Sequence, residues 1–117
     1  MNVESIRKIC TALPHVTEDI KWGNDLCFSV GNKMFCVAGL HTPSSVSFKV
    51  KDDEFDEMSV REGLQPAPYV ARYKWVLATN LEKLSKKEWD HYIKQSYDLV
   101  KSKLPKKVLK ELESTKK

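Results

Sequence analysis

The sequence has few cysteines, few glycines and no long hydrophobic run. It contains three cysteines and four glycines in 117 residues. An odd cysteine count favours reduced thiols over a disulfide framework. No apolar run approaches the roughly 18 residues that a membrane-spanning helix needs, and residues 1–5 lack the basic and then apolar layout of a secretory signal. These absences predict a cytoplasmic protein that does not enter a membrane.

Motifs of enzymes and metal sites are also missing. There is no P-loop, GxGxxG, GxSxG or HExxH pattern, and no CxxC or HxxxH. His15, His41 and His91 show no spacing typical of metal ligands. We therefore expect no enzyme activity, no cofactor and no bound metal. A Cys–His pair assembled by the fold stays open as an alternative.

The composition is that of a globular protein. Hydrophobic residues make up 41% and charged residues 31% of the chain. A chain of this length forms one domain with a hydrophobic core and needs no metal or disulfide to hold it. We expect a single domain over residues 1–117, with residues 114–117 as a frayed tail.

The positive charge lies at the C-terminal end. Of the 20 basic and 16 acidic residues, seven lysines and two glutamates fall in residues 101–117, which gives this segment +5 and the preceding hundred residues −1. A basic tail attracts phosphates, but a solvated helix end is the commoner reason for such a tail.

Apolar spacing predicts helices at both ends of the chain. Near the N-terminus, Asn2 and Pro14 bound a stripe with the i, i+3, i+4, i+7 spacing of a helix: Ile6, Ile9, Cys10 and Leu13. Residues 86–103 form a second helix, because Ser85 and Glu88 make a capping box before another stripe: Trp89, Ile93, Tyr97, Val100 and Leu104. Pro105 suits the first turn of a short final helix with a thin apolar face: Val108, Leu109 and Leu112.

Alternating residues predict a hairpin in the middle of the chain. Leu26–Val30 and Lys33–Ala38 flank a Gly31-Asn32 turn, a pair that tolerates positive φ. A two-residue loop would place Val30 opposite Lys33, Phe28 opposite Phe35 and Leu26 opposite Val37. It would also place Cys27 directly opposite Cys36, where a reversible disulfide would be an alternative to the expected free thiols.

The remaining segments complete the prediction. A third strand is expected at Ser44–Val50, a short helix begun by Asp52 or Asp53 at 52–60, and strand-forming sequence at Tyr69–Thr79. Residues 15–25 are interpreted as a connection and 63–69 as irregular. The expected fold is an α+β two-layer sandwich, with an antiparallel sheet covered by helices on one face and the order α-β(3)-α-β(2)-α.

Several local strings in this order resemble the MmcQ/YjbR family of small bacterial proteins. They are Trp22-Gly23, then Phe28-x-Val30-Gly31-x-Lys33-Met34-Phe35, then Pro66-x-x-Tyr69-Val70-x-Arg72-x-x-Trp75, and finally Ser96-Tyr97-x-x-Val100-x-x-x-Leu104-Pro105-Lys106-Lys107. The resemblance implies a CyaY-like fold and DNA binding of the "double-wing" type. Fold likeness to frataxin-type proteins would suggest iron, but the first helix has only Glu4 beside Arg7 and Lys8, so we do not carry iron binding over.

Two surfaces are candidates for binding. Basic residues on strands, on the hairpin turn and near the C-terminus would neutralise phosphates without reading base sequence: Lys33, Lys49, Lys51, Arg72, Lys74, Lys106 and Lys107. In a strand, Trp75 would face the core while Arg72 and Lys74 face outward. Lysines that protect a sheet edge against association are the structural alternative.

The second candidate is the sheet face that no helix covers. The predicted register places small and sulfur-containing side chains there: Cys27, Ser29, Met34, Cys36, Ser45 and Ser47. Such a face would suit a protein partner or self-association, or would be an ordinary solvated face. We therefore expect a non-enzymatic module that binds nucleic acid, with a protein-interaction or chaperone-like adaptor as the alternative and an unrecognised small-molecule site as a third hypothesis.

Overall fold

The structure is a computed structural model that describes residues 2–21, 23–40, 44–68 and 70–114. Trp22, His41, Tyr69 and residues 115–117, which the sequence analysis mentions, lie outside the described residues. The strands are β1 (Val16–Lys21), β2 (Asp25–Val30), β3 (Lys33–Gly39), β4 (Ser45–Lys49), β5 (Leu64–Pro66) and β6 (Trp75–Ala78). The helices are α1 (Val3–Thr11), α2 (Phe55–Ser59), α3 (Lys86–Ser102) and α4 (Lys106–Ser114).

The strands form one antiparallel sheet in the order β1-β2-β3-β4-β6-β5. All four helices bring apolar side chains to the core on the same face: Ile6 from α1, Met58 from α2, Trp89 from α3 and Val108 from α4. The predicted α+β class, with an antiparallel sheet and helices on one face, is confirmed.

The interpretation of residues 15–25 as a connection was wrong, because β1 lies within them and adds a fourth strand before α2. Every residue of β1 after Val16 is exposed, and Glu18 and Asp19 interrupt any apolar alternation. Charged side chains on an edge strand protect it against pairing with other chains. Because Glu18 and Asp19 are adjacent charged residues, β1 also lacks the alternation of apolar and polar residues from which a strand is predicted.

The Gly31-Asn32 turn is confirmed. Both residues have positive φ, +56° and +66°, as a type I′ hairpin turn requires. Val30 lies opposite Lys33 as predicted, but a β-bulge follows. Ser29 pairs with Met34, whereas Phe28 pairs with Cys36. Phe35 is therefore an extra residue on β3, which shifts the register of every residue after it.

The bulge corrects the predicted faces of β3. Phe35 and Cys36 are both buried in the core, Leu26 pairs with Ala38, and Val37 moves to the face without helices. Cys27 lies opposite Val37, so the predicted Cys27–Cys36 pair was wrong. Cys36 instead meets Cys10 of α1, and all three thiols are free. A hydrogen bond with Cys10, together with burial, raises the pKa of Cys36 well above its ordinary value.

The predicted N-termini of α1 and α3 are confirmed. The Asn2 side chain accepts a hydrogen bond from Ser5 N at 2.9 Å, and Ser85 and Glu88 form the capping box of α3. The α3 stripe is buried, and the apolar residues of α4 pack against the core. The short helix α2 begins after Glu54, with no side-chain cap, rather than at Asp52 or Asp53. None of the helices in the described residues is both long enough and apolar enough to cross a membrane.

Residues 63–79 differ most from the prediction. The part expected to be irregular contains β5, and the expected strand Tyr69–Thr79 is a 3₁₀ turn at Ala71–Tyr73 followed by β6. Lys74 between them has a φ of +66°, so an extended strand does not continue through this residue. Val76 and Ala78 face the core under the helices, and Trp75 lies on the opposite sheet face. Trp75 is buried, as predicted, but it does not pack in the cluster beneath the helices.

Candidate nucleic-acid interface and sheet groove

The fold brings distant basic residues to one end of the sheet. Lys33 follows the hairpin turn, and Lys49 at the end of β4 pairs with Trp75 at the start of β6. Val50 N donates a 2.8 Å hydrogen bond to Lys74 O. The start of α4 lies at this end too, because a Cβ on Gly31 would be 2.6 Å from Leu104 Cδ1 and 3.0 Å from Val108 Cγ1.

We call this region the basic end. It includes all the basic residues predicted to contact nucleic acid and one that the sequence analysis missed, Lys103, which lies between α3 and α4: Lys33, Lys49, Lys51, Arg72, Lys74, Lys103, Lys106 and Lys107. In the described part of the chain, no ion pair involves any of these side chains.

Lys49 is a half-buried, hydrogen-bonded cation of the basic end. Its ammonium group donates a hydrogen bond to Tyr73 O, and the side chain is half-buried. Burial lowers the pKa of Lys49, and the positive charges of Lys103 and Lys74 lower it further, against an opposing effect of Asp52. Lys74 and Lys103 therefore each lie close enough to repel Lys49.

The 3₁₀ turn presents a cation and an aromatic ring together. The guanidinium carbon of Arg72 lies 4.8 Å from the centroid of the Tyr73 ring, and Tyr73 is 52% exposed. An exposed ring beside a cation is the arrangement that stacks on unpaired bases and contacts the adjacent phosphate. Lys74, by contrast, lies over the Phe55 ring, with Nζ 5.1 Å from its centroid.

The remaining lysines have different surroundings. Lys106 and Lys107 are exposed in the first turn of α4, which has no acidic residue there. Their charges add to the positive N-terminal end of the helix dipole, so an anion would be favourable at this position. Lys51 precedes an acidic turn and its backbone N–H bonds Glu54 Oε1 at 3.0 Å. The acidic turn offsets part of the positive charge of Lys51.

The predicted docking face is smaller than expected. Cys36 lies in the core, and Cys27 and Ser29 are buried as well. Cys27 Sγ donates a 3.7 Å hydrogen bond to Asp25 O, and burial is the main cause that raises the pKa of this thiol. Met34, Ser45 and Ser47 are the predicted partner-binding residues that are half-buried rather than buried.

A concave site does occur on this face, and we call it the sheet groove. Its volume is about 520 Å³, and its walls come from strands β2, β3, β4 and β6 and from the segment that precedes the 3₁₀ turn: Asp25, Met34, Val37, Ser47, Ala67, Pro68, Val70 and Trp75. The sequence analysis missed most of these residues. The proline-rich stretch at 66–68 was the available signal for a fixed loop, whereas nothing in the sequence indicated the bulge that exposes Val37.

Comparison with known proteins identifies the family. A family model described as YjbR matches residues 11–99, most of the chain. The chain belongs to the YjbR family. The resemblance of the sequence strings to MmcQ/YjbR proteins is thereby confirmed. No match to this YjbR protein was found among curated protein sequences.

Solved structures share the YjbR fold. The Deinococcus radiodurans protein DR2400, described with a DUF419 domain, is 25% identical, with a TM-score of 0.84 over 95% of this chain and 87% of its own. A protein from Pseudomonas syringae is 17% identical, with a TM-score of 0.71 over 85% of this chain and 98% of its own. These similarities support the fold.

Proposed function

We propose that this YjbR-family protein is a non-enzymatic binding module whose basic end contacts the phosphate backbone of nucleic acid. The observation that carries the proposal is the convergence of basic side chains from separate segments, none of them in an ion pair among the described residues. Phosphate contacts neutralise such charges and release counterions from the nucleic acid. No base-specific contact is required for this kind of binding.

The electrostatics of the basic end support an anionic ligand. Lys74 and Lys103 repel Lys49, and this repulsion adds to burial in lowering the pKa of Lys49. A phosphate bound among them would remove the repulsion and raise that pKa. The lowered pKa of Lys49 in the free protein is therefore consistent with an anionic ligand.

Tyr73 favours unpaired strands. Its exposed ring can stack on a base while Arg72 contacts the neighbouring phosphate. A base inside a duplex is already stacked and is not available to Tyr73. We therefore expect a single-stranded oligonucleotide to bind at least as well as a duplex of the same sequence.

The alternative role, a protein adaptor that uses the open sheet face, has less support. Three of the residues predicted to form that surface, Cys27, Ser29 and Cys36, are buried. What remains on that face is the sheet groove, which is concave rather than flat. Nucleic-acid binding is therefore the function that the described surfaces favour.

Fluorescence anisotropy with labelled single-stranded and duplex DNA tests the proposal. Affinity should fall by at least tenfold between about 50 and about 200 mM salt, as several phosphate contacts predict. The double variant Arg72→Ala/Lys74→Gly should weaken binding, and glycine suits the positive φ at position 74. Absence of binding at the lower salt concentration would refute the proposal.

The control removes two positive charges at the opposite end of the sheet. Lys21 lies opposite Asp25 at the far end of β2, and Lys87 is exposed in the first turn of α3. Lys21→Ala/Lys87→Ala has the same net charge as the test variant. Equal losses of affinity in the two variants would mean that net charge, and not the basic end, determines binding.

A further inference from the structure

We infer that the sheet groove binds a small organic cation with an apolar body, of the arylalkylamine class. The groove shares no lining residue with the basic end, although its Trp75 pairs with Lys49, and the inference does not depend on nucleic-acid binding. The inference rests on the shape of the groove, on its apolar walls, and on one carboxylate at its edge.

The groove has the size and rigidity of a small-molecule site. Its volume of about 520 Å³ falls within the range of roughly 300–1,000 Å³ that is usual for such pockets. One backbone hydrogen bond ties Ala67 to β6, from Ala67 N to Trp75 O at 3.1 Å, and a second joins Val70 N to Ala67 O at 3.4 Å. Ala67 is therefore held against β6 before any ligand arrives.

The walls select an apolar ligand body. Met34, Val37, Val70 and Trp75 supply aliphatic, thioether and indole surface. Trp75 is only 9% exposed, so packing already restricts its ring. The accessible part of its indole lines the sheet groove. Covering these side chains with a flat aromatic ring removes apolar surface from water at little cost in side-chain entropy.

Asp25 selects the charge of the ligand. Among the described residues that line the groove, Asp25 is the only one with an ionisable side chain, and Ser47 is a second polar group. In the described ranges its carboxylate makes no ion pair, and Lys21, its cross-strand neighbour in β1, is not within salt-bridge distance. An ammonium group beside the apolar walls would give Asp25 a charge-assisted hydrogen bond. An anionic ligand would be repelled.

Proton–nitrogen correlation spectra of the whole protein test this inference with three probes of similar shape. 2-Phenylethylamine is cationic at neutral pH, 2-phenylethanol is neutral and 3-phenylpropanoate is anionic. We expect the amine to shift the amides of Met34, Val37 and Val70 and the Trp75 indole, with a dissociation constant on the order of 1 mM for so small a ligand. The amine should bind about fivefold to tenfold more tightly than the alcohol, and the anion should bind most weakly.

Two variants separate charge from shape. Asp25→Asn should bring the affinity for the amine down to that for the alcohol and leave the alcohol unchanged. Val70→Ser should weaken both. The correlation spectrum of each variant without probe shows directly whether that variant remains folded. Equal binding of the amine and the alcohol to the unsubstituted protein, shifts confined to residues outside the groove, or no shifts at millimolar probe would each overturn the inference.

Discussion

Ser96 Oγ in the middle of α3 donates a 2.5 Å hydrogen bond to Phe35 O, the carbonyl of the bulged residue on β3. The same oxygen accepts a 2.9 Å hydrogen bond from Lys49 N on β4. Ser96 is fully buried. One hydroxyl therefore satisfies two backbone groups of neighbouring strands and fixes α3 over the point where the sheet register shifts.

Loss of this hydroxyl should be costly. Ser96→Ala leaves a buried carbonyl and a backbone N–H without their partner, so we expect the free energy of unfolding to fall by about 2–3 kcal/mol. Ser102→Ala is the control, because Ser102 Oγ bonds only Leu99 O on the exposed side of α3. Urea unfolding of both variants measures the difference. A similar small effect in both would show that the bulge is held by other contacts.

Glu88 should make stability depend on acid pH. Hydrogen bonds from Arg61, followed by those from Ser85, lower the pKa of Glu88 to about 2 from its ordinary 4.5. The native state therefore favours the ionised carboxylate, and this stabilisation is present above pH 4.5 and is lost as the pH falls towards 2. Glu88→Gln should cost about 1 kcal/mol at neutral pH, a value reduced because the pair is partly exposed.

The test is the difference in unfolding free energy between the parent and Glu88→Gln over this pH range. We expect the difference to shrink as the parent carboxyl becomes protonated. Asp90→Asn, on the same helix in an exposed i, i+4 pair with Lys86, should show a small difference at every pH. A constant large difference for Glu88→Gln would mean that packing rather than charge is involved.

Gly31 should tolerate no side chain. It combines a φ of +56° with a close approach to Leu104, whereas Gly23 has a φ of +84° and open space around its Cβ position. We expect Gly31→Ala to cost about 2 kcal/mol or more and Gly23→Ala about 1 kcal/mol, because the second substitution carries only backbone strain. Thermal unfolding of the two variants compares them. Equal losses would contradict the contact between the hairpin turn and α4.

The thiols should be slow to react. All three cysteines are buried, and the pKa values of Cys27 and Cys36 are raised, so the reactive thiolate is disfavoured. A thiol reagent should label the native protein slowly and the urea-unfolded protein quickly. Mass spectrometry after mild oxidation should find no Cys27–Cys36 disulfide. Formation of that disulfide in the native state would contradict the bulged register.

The α4 lysines should contribute to the salt dependence of DNA binding. If Lys106 and Lys107 each neutralise one phosphate, Lys106→Ala/Lys107→Ala should reduce the slope of log affinity against log salt by about 2 on a duplex. The Lys21→Ala/Lys87→Ala control should leave the slope unchanged. An unchanged slope in the α4 variant would place these lysines outside the interface even if the protein binds DNA.

The helices and the central hairpin could be predicted from the sequence because their signals are local. Asn2, the Ser85–Glu88 box and the Gly31-Asn32 turn act over a few residues, and the α3 stripe follows helical spacing directly. Strands without such signals were missed. β1 is an exposed edge with no apolar alternation, and β5 is only three residues long.

The sequence by itself determined the α+β class, the N-terminal caps of α1 and α3, the family resemblance and most of the basic residues of the basic end. Only the tertiary structure decided where those residues lie and which side chains line the sheet groove. The reason is that a strand has a side-chain period of two, so one extra residue reverses its faces. Phe35 in the bulge causes such a change in β3, because it moves Cys36 into the core and Val37 to the opposite face. Trp75 lies beside Val37 because Val76 and Ala78 are the residues of β6 that face the core, and no local sequence pattern predicts either arrangement.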